Sequence, residues 1–315
     1  MGEDIPFSPK SVAAFLATAE LGGVRQAAEH LGLSQPAISR IIQRLEQQLQ
    51  VRLFERLATG MLLTPYGRAL LPYARALRRE GQHAVEHVDA LRGLRRGTVR
   101  IGSIASATRE YLPYVIQQTV VRYPQFKYDI IESTEDQLIR ALLDLELDLA
   151  IFGSEPNEPN LTSITTQEMG DEYVLIAAPD HPVFDHDEIT YDFLRNFTWA
   201  MPKPGTLPRE QFEFALDSAG MEHPAITVET RSVSAIKGLV SSGGFVGWLP
   251  LPLVSAEIVA RLIRVVPFEP LQLRRRFHCY RANTRVNSPT ATEFIQILSA
   301  CDFSDLRTRS VLLGS

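Results

Sequence analysis

Cysteine is almost missing from this chain: Cys279 and Cys301 are the only two among 315 residues. So few exclude a disulfide framework and a cysteine-rich metal cluster, and they fit reduced structural thiols in a cytoplasmic protein. Long apolar runs are missing too. No stretch of about 18 apolar residues could span a bilayer, and the acidic start Met1-Gly2-Glu3-Asp4 is followed by no apolar segment of a secretory leader. Nucleophile and base groupings are equally scarce. Gly102-Ser103-Ile104-Ala105-Ser106 lacks the Gly-x-Ser-x-Gly spacing of a hydrolase elbow, and no His/Asp pair can be assigned to it. His83 and His87 lie one helical turn apart without a third ligand, which predicts a solvated helix face rather than a metal site. The polar group His181, Asp185, His186, Asp187 and Glu188 reads as a surface loop. No enzyme activity, cofactor or metal is therefore expected.

What is present is an ordinary globular composition, 45% hydrophobic and 22% charged, at a length that suits two or three compact units. The net charge of -5 hides an asymmetry: residues 1–96 carry 13 Lys/Arg against 9 Asp/Glu, and residues 97–315 carry 19 against 28. A basic amino-terminal piece joined to an acidic remainder suits a nucleic-acid binder with a separate module.

Ser8-Pro9 predicts a helix start, with Val12, Phe15, Leu16 and Ala19 as its apolar stripe and Gly22-Gly23 as its stop. A second helix, Val24–Leu31, turns Ala27, Ala28 and Leu31 inward and ends at Gly32. The third starts at a Ser34 cap, tolerates Pro36 in its first turn, and buries Ala37, Ile38, Ile41, Leu45 and Leu49. Its other face carries Gln35, Ser39, Arg40, Gln43 and Arg44. Arg52–Arg56 and Met61–Leu63 read as short strands around Thr59-Gly60. Thr64-Pro65 then opens a long helix in which Leu70, Ala74, Leu77, Gly81, Ala84, Val88 and Leu91 form a heptad seam. Over residues 65 to 92 it spans roughly 40 Å. One narrow seam cannot be buried alone, so the helix is expected to pair with a second copy of itself. Pro72 should kink it near its start, and Gly81 thins the seam.

Gly93 and Gly97 flank a hinge. Beyond it, strands at 99–103, 128–132 and 148–152 alternate with helices through 115–121 and 138–145, the pattern of an α/β unit with a largely parallel sheet. A second series follows, with strands at 173–178, 198–201, 226–230, 245–249 and 262–266. Two α/β lobes with a cleft between them are expected.

Two tightly joined helices, the second showing Gln, Ser and Arg near its start, suit a major-groove reader: Gln pairs with adenine, Arg with guanine, and Ser with base edges or phosphate. Arg52 and Arg56 of the hairpin can reach phosphates. On spacing alone a solvated face fits Gln35, Ser39 and Arg40 equally well. In the lobes a ligand belongs where strand ends meet helix starts. The candidates there are Ser103, Ala105, Ser106, Ser133, Thr134, Thr206 and Ser232, with Gly153 and the 244–250 turn shaping the cleft. Ser133 with Asp136 makes a capping box, and helix capping fits Thr206 and Ser232 as well as ligand contact does. Trp248 fits a stacking wall for a sugar or aromatic ring, and fits a core position better. Arg274-Arg275-Arg276 reads as a solvated strand edge.

The ordered set Ala27-Ala28, Leu33-Ser34-Gln35-Pro36-Ala37-Ile38-Ser39, Leu45-Glu46, Val51-Arg52-Leu53-Phe54-Glu55-Arg56 and Leu63-Thr64-Pro65-Tyr66-Gly67 closely resembles the LysR-type transcriptional regulators. The resemblance spans the whole chain, and Val99-Arg100-Ile101-Gly102-Ser103-Ile104 is most similar to the branch of sugar and aromatic-acid regulators. It implies an α+β winged helix-turn-helix domain over 1–66, a dimerising linker helix over 67–92, a hinge over 93–98, and a two-lobed α/β effector domain over 99–315. That domain would resemble periplasmic binding proteins, with lobe I at about 99–170 and 270–302 and lobe II at about 171–269. The implied function is sequence-specific transcriptional regulation modulated by a small-molecule effector between the lobes, a sugar, sugar acid, or aromatic or other organic acid. The implied partners are a double-stranded DNA operator, further copies in a homotetramer, and RNA polymerase, with no membrane. Carried over by position, the DNA-contacting residues fall on Gln35, Pro36, Ser39 and Arg40, with Arg56 in the wing; Arg25, Ser34 and Arg44 complete the candidate set. Ser103, Ser106 and Thr206 are favoured as effector contacts. Gly23-Val24-Arg25 departs from the Ser or Thr that many members carry there, and Thr59 replaces a basic wing tip, which should lower nonspecific DNA affinity. The competing expectation is a small-molecule-binding α/β protein or enzyme with an incidental helical amino terminus.

Overall fold

The computed structural model describes residues 6–57, 60–93, 96–164, 168–186, 188–283, 287–304 and 306. The chain opens with helices α1 (Pro9–Leu21), α2 (Val24–Leu31) and α3 (Gln35–Leu49). Their boundaries have local causes. Ser8 Oγ accepts the Ser11 N–H at 3.1 Å, Ser34 Oγ accepts the Ala37 N–H at 3.4 Å, and Gly32 closes α2 in the left-handed region at φ 63°. The inner faces meet at Phe15, Leu16, Ala27, Ile38 and Leu45, each no more than 1% exposed. Ile42, not Ile41, continues the core face of α3, because the stripe steps by four and then three from Ile38; Ile41 and Ala37 are only half-buried.

Strands β1 (Phe54–Leu57) and β2 (Gly60–Leu63) form an antiparallel hairpin with Phe54 opposite Leu63. Thr59, the residue expected in place of a basic wing tip, lies outside the described residues. The hairpin is fastened at its base. Glu46, buried on α3, accepts the Leu53 N–H at 2.7 Å and the Phe54 N–H at 3.3 Å, and pairs with Arg52 at 3.1 Å. Thr64 Oγ1 donates to the Arg52 carbonyl at 2.7 Å and accepts the Gly67 N–H at 3.1 Å. A Cβ at Gly67 would stand 2.2 Å from the Leu53 carbonyl oxygen, so only glycine allows that approach.

Helix α4 (Pro65–Leu91) continues through Pro72. Along its seam Ala74 is buried and Leu70 half-buried, while Leu77, Gly81, Ala84, Val88 and Leu91 are exposed. Another of its faces lies on the following unit. His83 is buried with Nε2 3.7 Å from Asp148 Oδ1, Arg75 pairs with Glu146, and His87 Nε2 is 3.3 Å from the Asn287 carbonyl oxygen. The solvated face expected around His83 is therefore wrong at His83, because that side of the helix packs on lobe I; His87 is exposed.

The remaining elements are β3 (Gly97–Ser103), α5 (Ala105–Arg122), β4 (Phe126–Glu132), α6 (Glu135–Leu143), β5 (Leu149–Phe152), β6 (Leu161–Ser163), β7 (Met169–Ala177) and α7 (Tyr191–Leu194). They continue with β8 (Trp199–Pro202), α8 (Leu207–Ser218), β9 (Ile226–Thr230), α9 (Val233–Ser241), β10 (Val246–Pro250), α10 (Leu251–Val259), β11 (Arg264–Val266), β12 (Leu273–Ala282) and α11 (Pro289–Ala300). Strand β3 thus takes the last two residues of the expected hinge, while Leu94 and Arg95 lie outside the described residues.

A ten-stranded sheet runs in the order β4-β3-β5-β12-β7-β10-β8-β9, with β6 on β12 and β11 on β7. Strand β3 is parallel to β4 and β5, and β8 is parallel to β9 and β10. The antiparallel strands β7 and β12 join the halves: β12 pairs with β7 through Leu273–Phe277 and with β5 through His278–Tyr280. One core gathers Val99, Leu149, Phe152, Tyr111, Phe277 and Phe294; a second gathers Tyr173, Trp199, Phe212 and Trp248. Arg274–Arg276 is not a sheet edge as expected. It sits inside this crossing, paired along β7; Arg274 and Arg276 are nevertheless exposed, as a solvated run would be, while Arg275 is half-buried against Asp171 at 2.8 Å and 2.5 Å. Among the described residues no helix is long and apolar enough to cross a membrane.

Candidate functional site

Helix α3 presents Gln35, Pro36, Arg40, Gln43 and Arg44 to solvent, with Ser39 half-buried among them. Arg40 Nε donates back to the Pro36 carbonyl at 3.3 Å, so its guanidinium lies along the helix. Ser34 is exposed, yet its hydroxyl serves as the α3 cap. Arg56 is exposed on β1, the strand that Glu46 ties to α3. Arg25 lies on the exposed side of α2, 4.0 Å from Glu29, and that helix starts at Gly23 without a side-chain cap. Sequence reasoning missed the role of Glu46. Its signal was a carboxylate directly after a core leucine, on the buried side of a helix followed by free strand amides.

In the second unit the turns after β3 and β4 meet: the Ser133 N–H donates to the Ser103 carbonyl at 3.1 Å. Ser103 and Ser106 are buried, Ala105 is half-buried and Thr134 is exposed. No side chain caps α5, α6, α8 or α10. Among the described residues the positive dipole ends of these helices therefore lie without a side-chain cap at the carboxyl ends of β3, β4, β8 and β10, with Pro208 and Pro252 removing one amide each from the first turns of α8 and α10. The capping box expected at Ser133 and Asp136 does not form, because α6 starts later with Thr134 at its N-cap, and the Ser133 hydroxyl pairs with Gln137 instead. Thr206 spends its hydroxyl on the Lys203 carbonyl at 2.7 Å, whereas Ser232 does cap α9, accepting the Ala235 N–H at 3.2 Å.

Trp248 is no cleft wall. It is fully buried, its indole N–H donates to the Leu271 carbonyl at 2.7 Å, and it stacks on Tyr173 with centroids 3.9 Å apart. Burial pushes the Tyr173 hydroxyl up to about 12, so it stays protonated. Gly153 is half-buried, and its N–H and that of Ser154 are both donated to the Glu135 carboxylate at 3.1 Å. Glu135 was not anticipated. An acidic residue in a helix's first turn is ordinarily explained by the dipole alone. Cys279 and Cys301 are buried and not joined in a disulfide, and burial pushes both thiols upward, away from the reactive thiolate form. His181 is buried too, its Nδ1 accepting the Val183 N–H at 3.1 Å, which corrects the expectation at that residue; Asp185, His186 and Glu188 are exposed as a surface loop requires, and Asp187 lies outside the described residues. Among the described residues no group of three or more His, Cys, Asp or Glu could hold a metal ion.

Residues 9–68 match the bacterial regulatory helix-turn-helix proteins of the lysR family, and residues 92–301 match the LysR substrate binding domain. The chain belongs to the LysR family. This LysR regulator is similar to the transcriptional dual regulator GltC of Bacillus subtilis (strain 168), at 32% identity over 263 residues, covering 83% of this chain and 86% of GltC. It is also similar to the HTH-type transcriptional regulator CbbR of Xanthobacter flavus, at 28% identity over 279 residues, covering 88% of this chain and 83% of CbbR. In fold it matches full-length CbnR complexed with its target DNA, with a TM-score of 0.69 at 21% identity, over 93% of this chain and 99% of that one. Membership makes the protein a DNA-binding transcriptional regulator with an effector-binding module, and it supports that reading over the alternative of an α/β protein with an incidental helical terminus.

Proposed function

We propose that this LysR regulator places Gln35, Pro36, Ser39, Arg40 and Arg44 in the major groove of its operator, with Arg25, Ser34 and Arg56 beside the phosphates. Two copies pair along Leu77, Gly81, Ala84, Val88 and Leu91, whose exposure leaves an unburied apolar seam, and two such dimers form a tetramer. A groove of about 990 Å³ between α1, α4 and lobe I, lined in part by Val12, Leu77 and Val85, extends the apolar surface that pairing would cover. The regulator works in the cytoplasm and passes its signal to RNA polymerase. Its effector is a small molecule with an acidic group, in the range of sugar acids and aromatic or other organic acids. The observation that carries this is the row of uncapped helix starts at α5, α6 and α8, with Ser103, Ala105, Ser106, Thr134 and Thr206 on or beside them. Ligand binding favours one lobe arrangement, and the linker helices convert it to changed spacing or bending of the operator. Footprinting of the full chain on its operator, with and without candidate acids, tests the proposal. A footprint that lengthens or shortens on ligand addition supports it, and one unchanged at saturation removes it.

A further inference from the structure

The lobe I end of the cleft carries two seats of opposite character. At the start of α5 the leading amides have no side-chain cap, and Ser106, only 2% exposed, makes no side-chain hydrogen bond among the described residues. A buried hydroxyl and open amides at a helix start suit a carboxylate. The bond between Ser133 and Ser103 brings the start of α6 beside it. From the first turn of α6, Glu135 fills a neighbouring seat, the amides that follow β5. The successive amides of Gly153 and Ser154, an anion-binding pair by geometry, each donate to Glu135 at 3.1 Å.

Arg275, a half-buried cation, feels the charge of Glu135, but its guanidinium is held by two bonds to Asp171 and lies over the rings of Tyr173 and Phe277. Glu155 adds a further carboxylate beside Tyr280, whose hydroxyl donates to the Ser154 carbonyl at 3.0 Å. Neither Glu135 nor Glu155 has an ion-pair partner among the described residues. A carboxylate accepting one bond on each oxygen keeps lone pairs for a third donor.

We infer that Glu135 sets the charge class of the effector: it bars a second ligand carboxylate from the Gly153 and Ser154 amides and receives a ligand ammonium group, so that the effector is an amino acid or a similar zwitterion. The inference rests on the cleft being the effector site, as proposed above. The ligand's carboxylate takes the α5 start at Ser106, and its ammonium group faces Glu135.

Thermal unfolding of the full chain, as wild type, Glu135→Gln and Glu135→Ala, tests it against three sets of probes: the common amino acids, the hydroxy acids lactate and glycerate, and the dicarboxylates malonate, succinate and glutarate. Wild type should be stabilised by at least one amino acid and by no dicarboxylate. Glu135→Gln should weaken that response about tenfold or more in affinity, since a charge-assisted bond becomes a neutral one. Glu135→Ala, with its two amides freed, should gain a response to a dicarboxylate. Glu135→Gln keeps an acceptor oxygen in place, so the comparison stands even where Glu135→Ala does not fold. An amino-acid response equal in wild type and Glu135→Gln overturns the inference, as does a wild type that answers dicarboxylates or hydroxy acids as well as amino acids. Silence of all three proteins toward all three sets overturns the effector-site assignment, and this inference with it.

Discussion

The head and the two-lobed module meet the same physical problem, open amides at helix starts, in different ways. In the head, Ser8, Ser34 and Thr64 cap α1, α3 and α4, and α2 alone begins without a side-chain cap. In the module, α5, α6, α8 and α10 begin at strand ends without a side-chain cap, whereas Thr190, Ser232 and Ser288 cap α7, α9 and α11. The head spends its side chains on holding one shape, with Glu46 and Thr64 bolting the hairpin between α3 and α4. The module leaves donors free where a ligand can take them, and it satisfies one amide pair with Glu135. A rigid reader and an adaptable receiver are thus distinguishable in their hydrogen bonds.

Four measurements break or sharpen that contrast. The largest effect belongs to the module's interior: Trp248→Ala should cost about 3–5 kcal/mol of its stability, the range for a fully buried aromatic. Denaturant unfolding reads it, and a loss under about 1 kcal/mol would return Trp248 to the cleft wall. Next is the head. Glu46→Ala strips a partner from two backbone amides and Arg52, so a loss of about 1.5–3 kcal/mol is expected, together with weakened operator binding in a gel-shift titration. Unchanged DNA affinity would mean that the hairpin needs no fastening.

The third compares caps directly. Ser34→Ala should cost about 1 kcal/mol, and Thr206→Ala less than about 0.5 kcal/mol, because only the first hydroxyl accepts a helix amide. Equal losses would erase the contrast.

The smallest concerns the junction of the two regions. Glu86 on α4 is held above its ordinary range chiefly by burial, with Asp148 adding to the rise and bonds from Thr98 and Ser288 and the charge of Arg100 opposing it. A carboxyl whose value is raised by folding binds its proton more tightly in the folded state. Its contribution to stability is therefore present at low pH and is lost as pH rises through the raised value. Glu86→Gln should then raise the melting midpoint at pH 7 to 8, with the gain shrinking as pH falls toward about 4. A gain that grows on acidification would reverse the sign and assign Glu86 a stabilising ion pair.

Much of this protein is legible without coordinates. The helix starts at Ser8, Ser34 and Thr64 and the stop at Gly32 follow from side chains acting on amides a few residues away. The alternation of strands and helices after Gly97 follows from apolar periodicity, and strands such as Ile226–Thr230 emerge with the same bounds. The choice of Ile41 over Ile42 fails because two adjacent isoleucines satisfy a helical stripe almost equally, and only the neighbouring helices decide. The wall role weighed for Trp248 fails for a related reason: an indole suits a cleft or a core, and the Tyr173 ring and the Leu271 carbonyl settle which.

The division has a physical basis in chain separation. Sequence alone determined what acts across one helical turn or one strand: caps, stops, the heptad seam of α4, and the Gln, Ser and Arg face of α3. Tertiary structure decided what joins distant segments. Glu46 reaches amides seven and eight residues on, Glu135 reaches them 18 and 19 residues on, and Arg275 finds Asp171 across 104. Local patterns can state that a carboxylate or guanidinium is present. Which donor or acceptor it meets is set by the crossing of β7 and β12 and the packing of α3 on the hairpin, where burial makes a partner obligatory.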